Sequence, residues 1–114
     1  MLPALSLLFL LVAGAGATLA YLETHGRTVP LPVGALHGAA ALVAIVLLVL
    51  HDLASPGNHY INTATVLFIL TACGGLLLFG FRAAREKLPL MVIVLHAGFG
   101  LFALGLLFVG MTRG

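Results

Sequence analysis

Four apolar runs, each about 20 residues long, leave this chain little choice of fold. They are Leu2–Leu22, Leu31–Leu50, Ile61–Phe81 and Leu88–Met111. A helix of about 20 residues crosses roughly 30 Å of hydrocarbon. Lipid offers no partner to a bare amide, and none of the runs alternates with the two-residue period of a barrel strand. Each run therefore reads as a spanning helix. Of the 114 residues, 62% are hydrophobic and 7% charged, and the mean hydropathy is +1.25. A soluble domain of this size needs far more polar surface. The expected fold is all-α: an integral membrane up-down four-helix bundle, with residues 1–114 forming one domain.

The opening MLPALS carries no Lys or Arg, and the first run is long for a signal-peptide core, so it reads as a helix of the mature protein. Pro3, Pro30, Pro32 and Pro89 stand at or just before helix starts, where a missing N–H costs little. The connections ETHGRTV, HDLASPGNHY and RAAREK are short, which makes consecutive helices antiparallel neighbours. Loops one and three hold Arg27, Arg82, Arg85 and Lys87, whereas the opposite side holds only Arg113. The positive-inside rule then puts both termini outside, for a bacterial inner membrane. The net charge of +2 comes from these flanking residues and does not point to nucleic acid; membrane lipid is the expected surrounding. Cys73 is the only cysteine. That excludes an intrachain disulfide and a Cys-x-x-Cys-His haem attachment, and Cys73 reads as a small packing residue on the third helix.

The segments LPVGALHGAA and LPLMVIVLHAGFG each place a histidine at similar depth. His37 and His96 are 59 positions apart. Sliding the chain by that offset aligns Phe9 with Phe68, Ala13 with Ala72, Gly16 with Gly75, Pro30 with Pro89 and Leu36-His37 with Leu95-His96, without a gap. Leucine matches are cheap in this composition; glycine, proline and histidine matches are not. The chain reads as a duplicated two-helix hairpin, with one repeat at about 3–51 and the other at about 62–110. Each unit crosses the membrane twice, so the copies are parallel and related by a pseudo-twofold axis along the membrane normal. His37 and His96 then fall on the second and fourth helices, diagonal partners of an up-down bundle.

Small residues on the other two helices reach the same depth: Gly14–Ala17 on the first, and Cys73, Gly74 and Gly75 on the third. Adjacent helices pack about 8–10 Å apart, so a diagonal pair is separated by roughly 11–14 Å. Two imidazoles with one metal between them span such a gap. A single histidine in a membrane helix often serves only to hydrogen-bond a neighbour; two matched by internal symmetry favour a shared cofactor. A flat porphyrin would take His37 and His96 as axial ligands, with Gly16 and Gly75 at its edges. Its propionates would face Arg27, Arg82 and Arg85.

With these residues in place, the chain resembles the four-helix core of membrane b-type cytochromes, such as the cytochrome b of quinol-oxidising bc-type complexes. In that family the second and fourth helices each carry His-x13-His, one histidine per haem. Here the second helix reads His37-x13-His51, while the fourth has His96 and then Gly110 at the matching place. The resemblance implies one haem b (heme b) per chain, held by His37 and His96, and electron transfer. A second haem on His51 is not expected, because its mate is Gly110 and the first and third helices lack glycines at that end.

His51, Asp52 and His59 surround loop two, where a polar loop with interfacial histidines is the plainer reading and a secondary quinol or metal site the sharper one. His25 reads as solvated; Met91 and Met111 read as lipid-facing or packing residues. The leading expectation is a membrane cytochrome relaying electrons between the quinone pool and a redox partner protein or a second copy, rather than an enzyme by itself. The alternatives are a non-redox accessory subunit, a pigment binder using the same histidines, or a small transporter. A transporter usually needs an intramembrane carboxylate, and Glu23, Asp52 and Glu86 all lie at helix ends or in loops.

Overall fold

The computed structural model describes residues 1–113. It contains four helices: α1 Leu2–Thr24, α2 Leu31–Ala54, α3 His59–Ala83 and α4 Leu90–Arg113. Each is long and apolar enough to cross a membrane, and at most 22% of any span is buried inside the protein. Lipid rather than protein is therefore the main solvent of every helix. The bundle is 42 Å long. Helices pack in the ring α1–α2–α3–α4, and the diagonal pairs α1/α3 and α2/α4 make no close backbone contact. This is the up-down arrangement that short loops dictate.

Helices α2 and α3 are longer at loop two than their apolar runs. His51 and Asp52 lie in the last turns of α2, and His59 and Tyr60 begin α3, so the residues read as a loop are mostly helical. Asn58 explains where α3 starts. Its side-chain oxygen accepts from the N–H groups of Tyr60 and Ile61, while its amide donates to the Gly110 carbonyl at 2.9 Å. One side chain thus caps α3 and ties it to the end of α4. Cys73, read as a packing residue, is instead exposed on the lipid-facing side of α3.

Positions 59 apart occupy equivalent places. Ala44 and Ala103 are fully buried, as are Leu48 and Leu107; Val29 and Leu88 are each 8% exposed. Ser6 and Thr65 are the two buried polar residues, and they too are mates. The solid core lies in the half toward loop two, where Leu5, Ala44, Leu48, Ile61, Ala64, Ala103 and Leu107 meet.

The equivalence extends to backbone turns. After α1, Gly26 N–H donates to Glu23 O and Arg27 N–H to Leu22 O; after α3, Arg85 N–H donates to Arg82 O and Glu86 N–H to Phe81 O. Both are Schellman stops, with Gly26 at φ +69° and Arg85 at φ +58°. The left-handed conformation suits glycine; it costs a side-chain-bearing residue about 1–2 kcal/mol. Arg85→Gly is therefore expected to stabilise the fold by about 0.5–1 kcal/mol after the extra unfolded-state entropy of glycine is subtracted, and Gly26→Ala to destabilise it by about 1 kcal/mol. Reversible unfolding in detergent micelles reads both changes.

Candidate functional site

Three residues on α1 recur at intervals of seven: Phe9, Gly16 and Glu23. Their mates Phe68, Gly75 and Arg82 do the same on α3. Seven residues make about two turns, so each set shares one face, and each step rises about 10 Å. Both faces turn toward the bundle axis. Near that axis a residue meets its own mate. Phe9 stacks on Phe68 with ring centroids 4.0 Å apart and planes 12° from parallel. Two levels further on, Glu23 pairs with Arg82 at 3.3 Å. Between these contacts the glycines leave room, and His37 and His96 enter from α2 and α4.

The result is a compartment in the half of the bundle nearest loops one and three. It has a volume of about 440 Å³ and is lined by residues of all four helices, including Gly16, His37, Gly75 and His96. The aromatic pair Phe9/Phe68 forms its floor, and Glu23 and Arg82 stand at its mouth. Arg82 also donates to the Val29 carbonyl at 3.4 Å and passes over Gly34, where an added methyl would lie 3.6 Å from its Nε.

Each glycine has a specific neighbour. A methyl on Gly16 would lie 2.9 Å from His37 Cε1; one on Gly75 would lie 3.0 Å from His96 Cε1. The glycines read as porphyrin walls therefore also seat the imidazole of the next helix. Both histidines stand six residues from the start of their helix, at 37 after 31 and 96 after 90. Their ring centroids are 6.4 Å apart and the planes 84° from parallel. His96 Nδ1 bonds the Thr71 carbonyl at 2.8 Å. The equivalent carbonyl for His37 is that of Val12, but no bond to it has good geometry, and His37 Nδ1 is buried without a partner.

What can this arrangement hold? A metal-bound imidazole nitrogen sits about 2.0 Å from the metal, and the ring centre about 1.2 Å further, so two rings on opposite sides of one metal would be about 6.4 Å apart, and two at a tetrahedral angle about 5 Å. The observed separation matches the former. Among the described residues, no group of three or more His, Cys, Asp or Glu gathers anywhere. An ion such as zinc, which needs three or four protein ligands, is poorly served by two. A flat cofactor that brings its own equatorial donors needs only two protein nitrogens and a slot, and two imidazoles border this compartment.

The remaining candidate residues divide clearly. Arg82 lines the compartment. Arg27 and Arg85 lie exposed in the turns after α1 and α3, outside the lining. His25 is exposed and stacks on Tyr21 at 4.0 Å. His51 and His59 lie at the far end of the bundle and do not join any such ligand group. At that end a methyl on Gly110 would lie 2.7 Å from Ile61 Cγ1, so the place a second histidine would need is already filled. Met91 faces outward, whereas the Met111 sulfur accepts a hydrogen bond from Ser6.

Glu23 was legible only as a helix-end carboxylate. Its offset of 59 from a residue of opposite charge, on a heptad face, was the signal for its role at the mouth. Comparison with protein-family models, curated proteins and solved structures found no match to this chain.

Because Glu23 and Arg82 are mates, exchanging them should restore the pair. Arg82 in its present place reaches the Val29 carbonyl, and an arginine at 23 would have that of Leu88. Glu23→Arg and Arg82→Glu alone should each destabilise by about 1–3 kcal/mol, as expected of a largely buried ion pair turned repulsive. The double exchange should recover most of that loss. Thermal unfolding of the four proteins in detergent completes the cycle.

Proposed function

We propose that this protein is a membrane b-type cytochrome whose His37 and His96 are the axial ligands of one low-spin haem b. The observation that carries the reading is the pair of symmetry-mate imidazoles, 6.4 Å apart, with no third protein ligand beside them. The haem would supply one-electron chemistry. The chain's own residues do the rest. His37 and His96 orient the ligand nitrogens, and Gly16 and Gly75 keep the rings in place. Phe9 and Phe68 close the floor against the solid half of the bundle. Arg82 offers its guanidinium at the mouth to the propionates; it has five N–H donors, enough to serve them beside Glu23 and Val29.

One haem per chain is proposed, because the half toward loop two is filled. The electron route we propose runs between the quinone pool and a protein partner or a second copy of the chain, since its loops are too short to build a catalytic pocket. The excess of Lys and Arg in loops one and three supports an orientation with both termini outside, in a membrane we take to be a bacterial inner membrane. The likeness to the bc-type cytochrome b core supports the same assignment.

Purified protein expressed with ample haem is expected to show a low-spin b-type spectrum; colourless protein overturns the proposal. His37→Ala and His96→Ala should each lose or convert that spectrum, and His25→Ala should leave it unchanged.

Gly16→Leu and Gly75→Leu should abolish haem uptake while membrane insertion continues, because leucine favours the bilayer. Extraction with protein quantitation should give a haem-to-chain ratio near one. A ratio near two that falls to one in His51→Ala would mean that the far half also holds a haem.

A further inference from the structure

The two histidines are mates in sequence but not in surroundings. His96 is anchored: its Nδ1 bonds the Thr71 carbonyl at 2.8 Å, and Gly74 brings α3 so near that a methyl there would lie 3.6 Å from His96 Cβ. His37 is held less firmly: the Val12 carbonyl stands near its ring, but no well-formed bond to Nδ1 results. Behind it α1 and α2 part to leave a lateral apolar groove of about 350 Å³, lined by Val12, Ala15, Ala40 and His37 itself. His37 thus borders both the inner compartment and this groove. The positions equivalent to Ala15 and Ala40 in the second repeat are Gly74 and Phe99, and there α3 and α4 pack together more extensively than any other pair of helices.

These differences act in one direction. A hydrogen bond to the far nitrogen of a ligating imidazole fixes its tautomer and raises its basicity; losing such a partner costs about 10–100-fold in metal affinity. His96 has that partner and little room to leave. His37 has only the Val12 carbonyl near it, without a well-formed bond, and it borders a groove into which its ring can swing. Resting on the haem reading above, we infer that His37 is an exchangeable ligand and that the protein binds a small uncharged diatomic molecule at the iron in its place. With a haem bound, His37 would release the iron from Nε2, and the incoming molecule would take the bond to iron that the imidazole gives up. The imidazole leaves neutral, and no electron or proton is transferred. The walls nearest His37, among them Val12, Ala13, Ala41 and Ile45, are apolar, which selects neutral ligands over anions such as azide.

Carbon monoxide on the dithionite-reduced, haem-loaded protein is the probe. A colourless preparation would be a failure of the haem assignment, visible before any gas is added. Given a low-spin haem, the wild type should convert fully to a carbon monoxide complex. Its rate should level off at high gas concentration, where departure of His37 becomes limiting. Ala40→Phe, which gives the first repeat the residue of the second, should keep the low-spin spectrum and slow that limiting rate by about tenfold, the effect of about 1.4 kcal/mol. Ligand removal gives a second, independent arm. His37→Gly should retain haem on His96, become high-spin and regain a low-spin spectrum with added imidazole, while His96→Gly should retain about tenfold less haem. A low-spin wild type that stays unchanged under saturating carbon monoxide would overturn the inference and leave the cytochrome assignment standing. So would better haem retention by His96→Gly than by His37→Gly.

Discussion

A pseudo-twofold axis down the centre of the bundle forces any residue beside it to meet its own mate. Much of the interior follows from that constraint. An aromatic residue stacks on an aromatic residue, as Phe9 does on Phe68. A histidine faces a histidine, as His37 does His96. Where like would meet like at a cost, the repeats have diverged: position 23 is acidic and position 82 basic, and they pair at 3.3 Å. A duplicated chain with two glutamates there would set two carboxylates against each other in a poorly solvated place. The axis thus accounts for both the sameness of the ligands and the difference at the mouth.

The same axis separates a solid half from a hollow one. Toward loop two, Leu48 and Leu107 reach the centre and fill it, with Ala44, Ala103 and Ala64 between them. Toward loops one and three, the corresponding faces of α1 and α3 carry glycine, and the volume released is taken partly by imidazole rings. Helix association in lipid gains little from the hydrophobic effect and depends on close packing. The filled half therefore has the contacts that hold the helices together and lets the other half remain hollow. A second site at the far end would have to remove those contacts.

Divergence between the repeats matters most beside the histidines. Four helices related by symmetry would offer two identical ligands. Ala15 and Ala40 line the groove between α1 and α2, whereas Gly74, the mate of Ala15, lies against His96. Together with the Thr71 bond they leave one imidazole firmly held and the other without a well-formed bond at its far nitrogen. On the proposed haem reading, inequivalence of this kind would make a symmetric pair of histidines responsive to a second molecule, without any additional domain.

The sequence by itself determined the four spans, the up-down order and the depth of both histidines. Length, hydropathy and an offset of 59 were sufficient, because lipid forbids bare amides and a helix converts residue number into depth at a fixed rise. It left the ends of α2 and α3 unread at loop two, where His51, Asp52, His59 and Tyr60 are polar yet helical; the Asn58 cap that extends α3 depends partly on a bond to Gly110 from another helix. It also misread Cys73, since each helix is apolar on nearly every side and hydropathy does not separate a lipid-facing position from a packed one. Only the tertiary structure decided how the helices rotate about their own axes and how closely each pair approaches. That rotation turns Phe9, Gly16 and Glu23 toward the centre, and that approach gives His96 a well-formed bond to a carbonyl while leaving His37 with none of good geometry. Both are set by side chains meeting across helices many residues apart, a contact that no local pattern along the chain encodes.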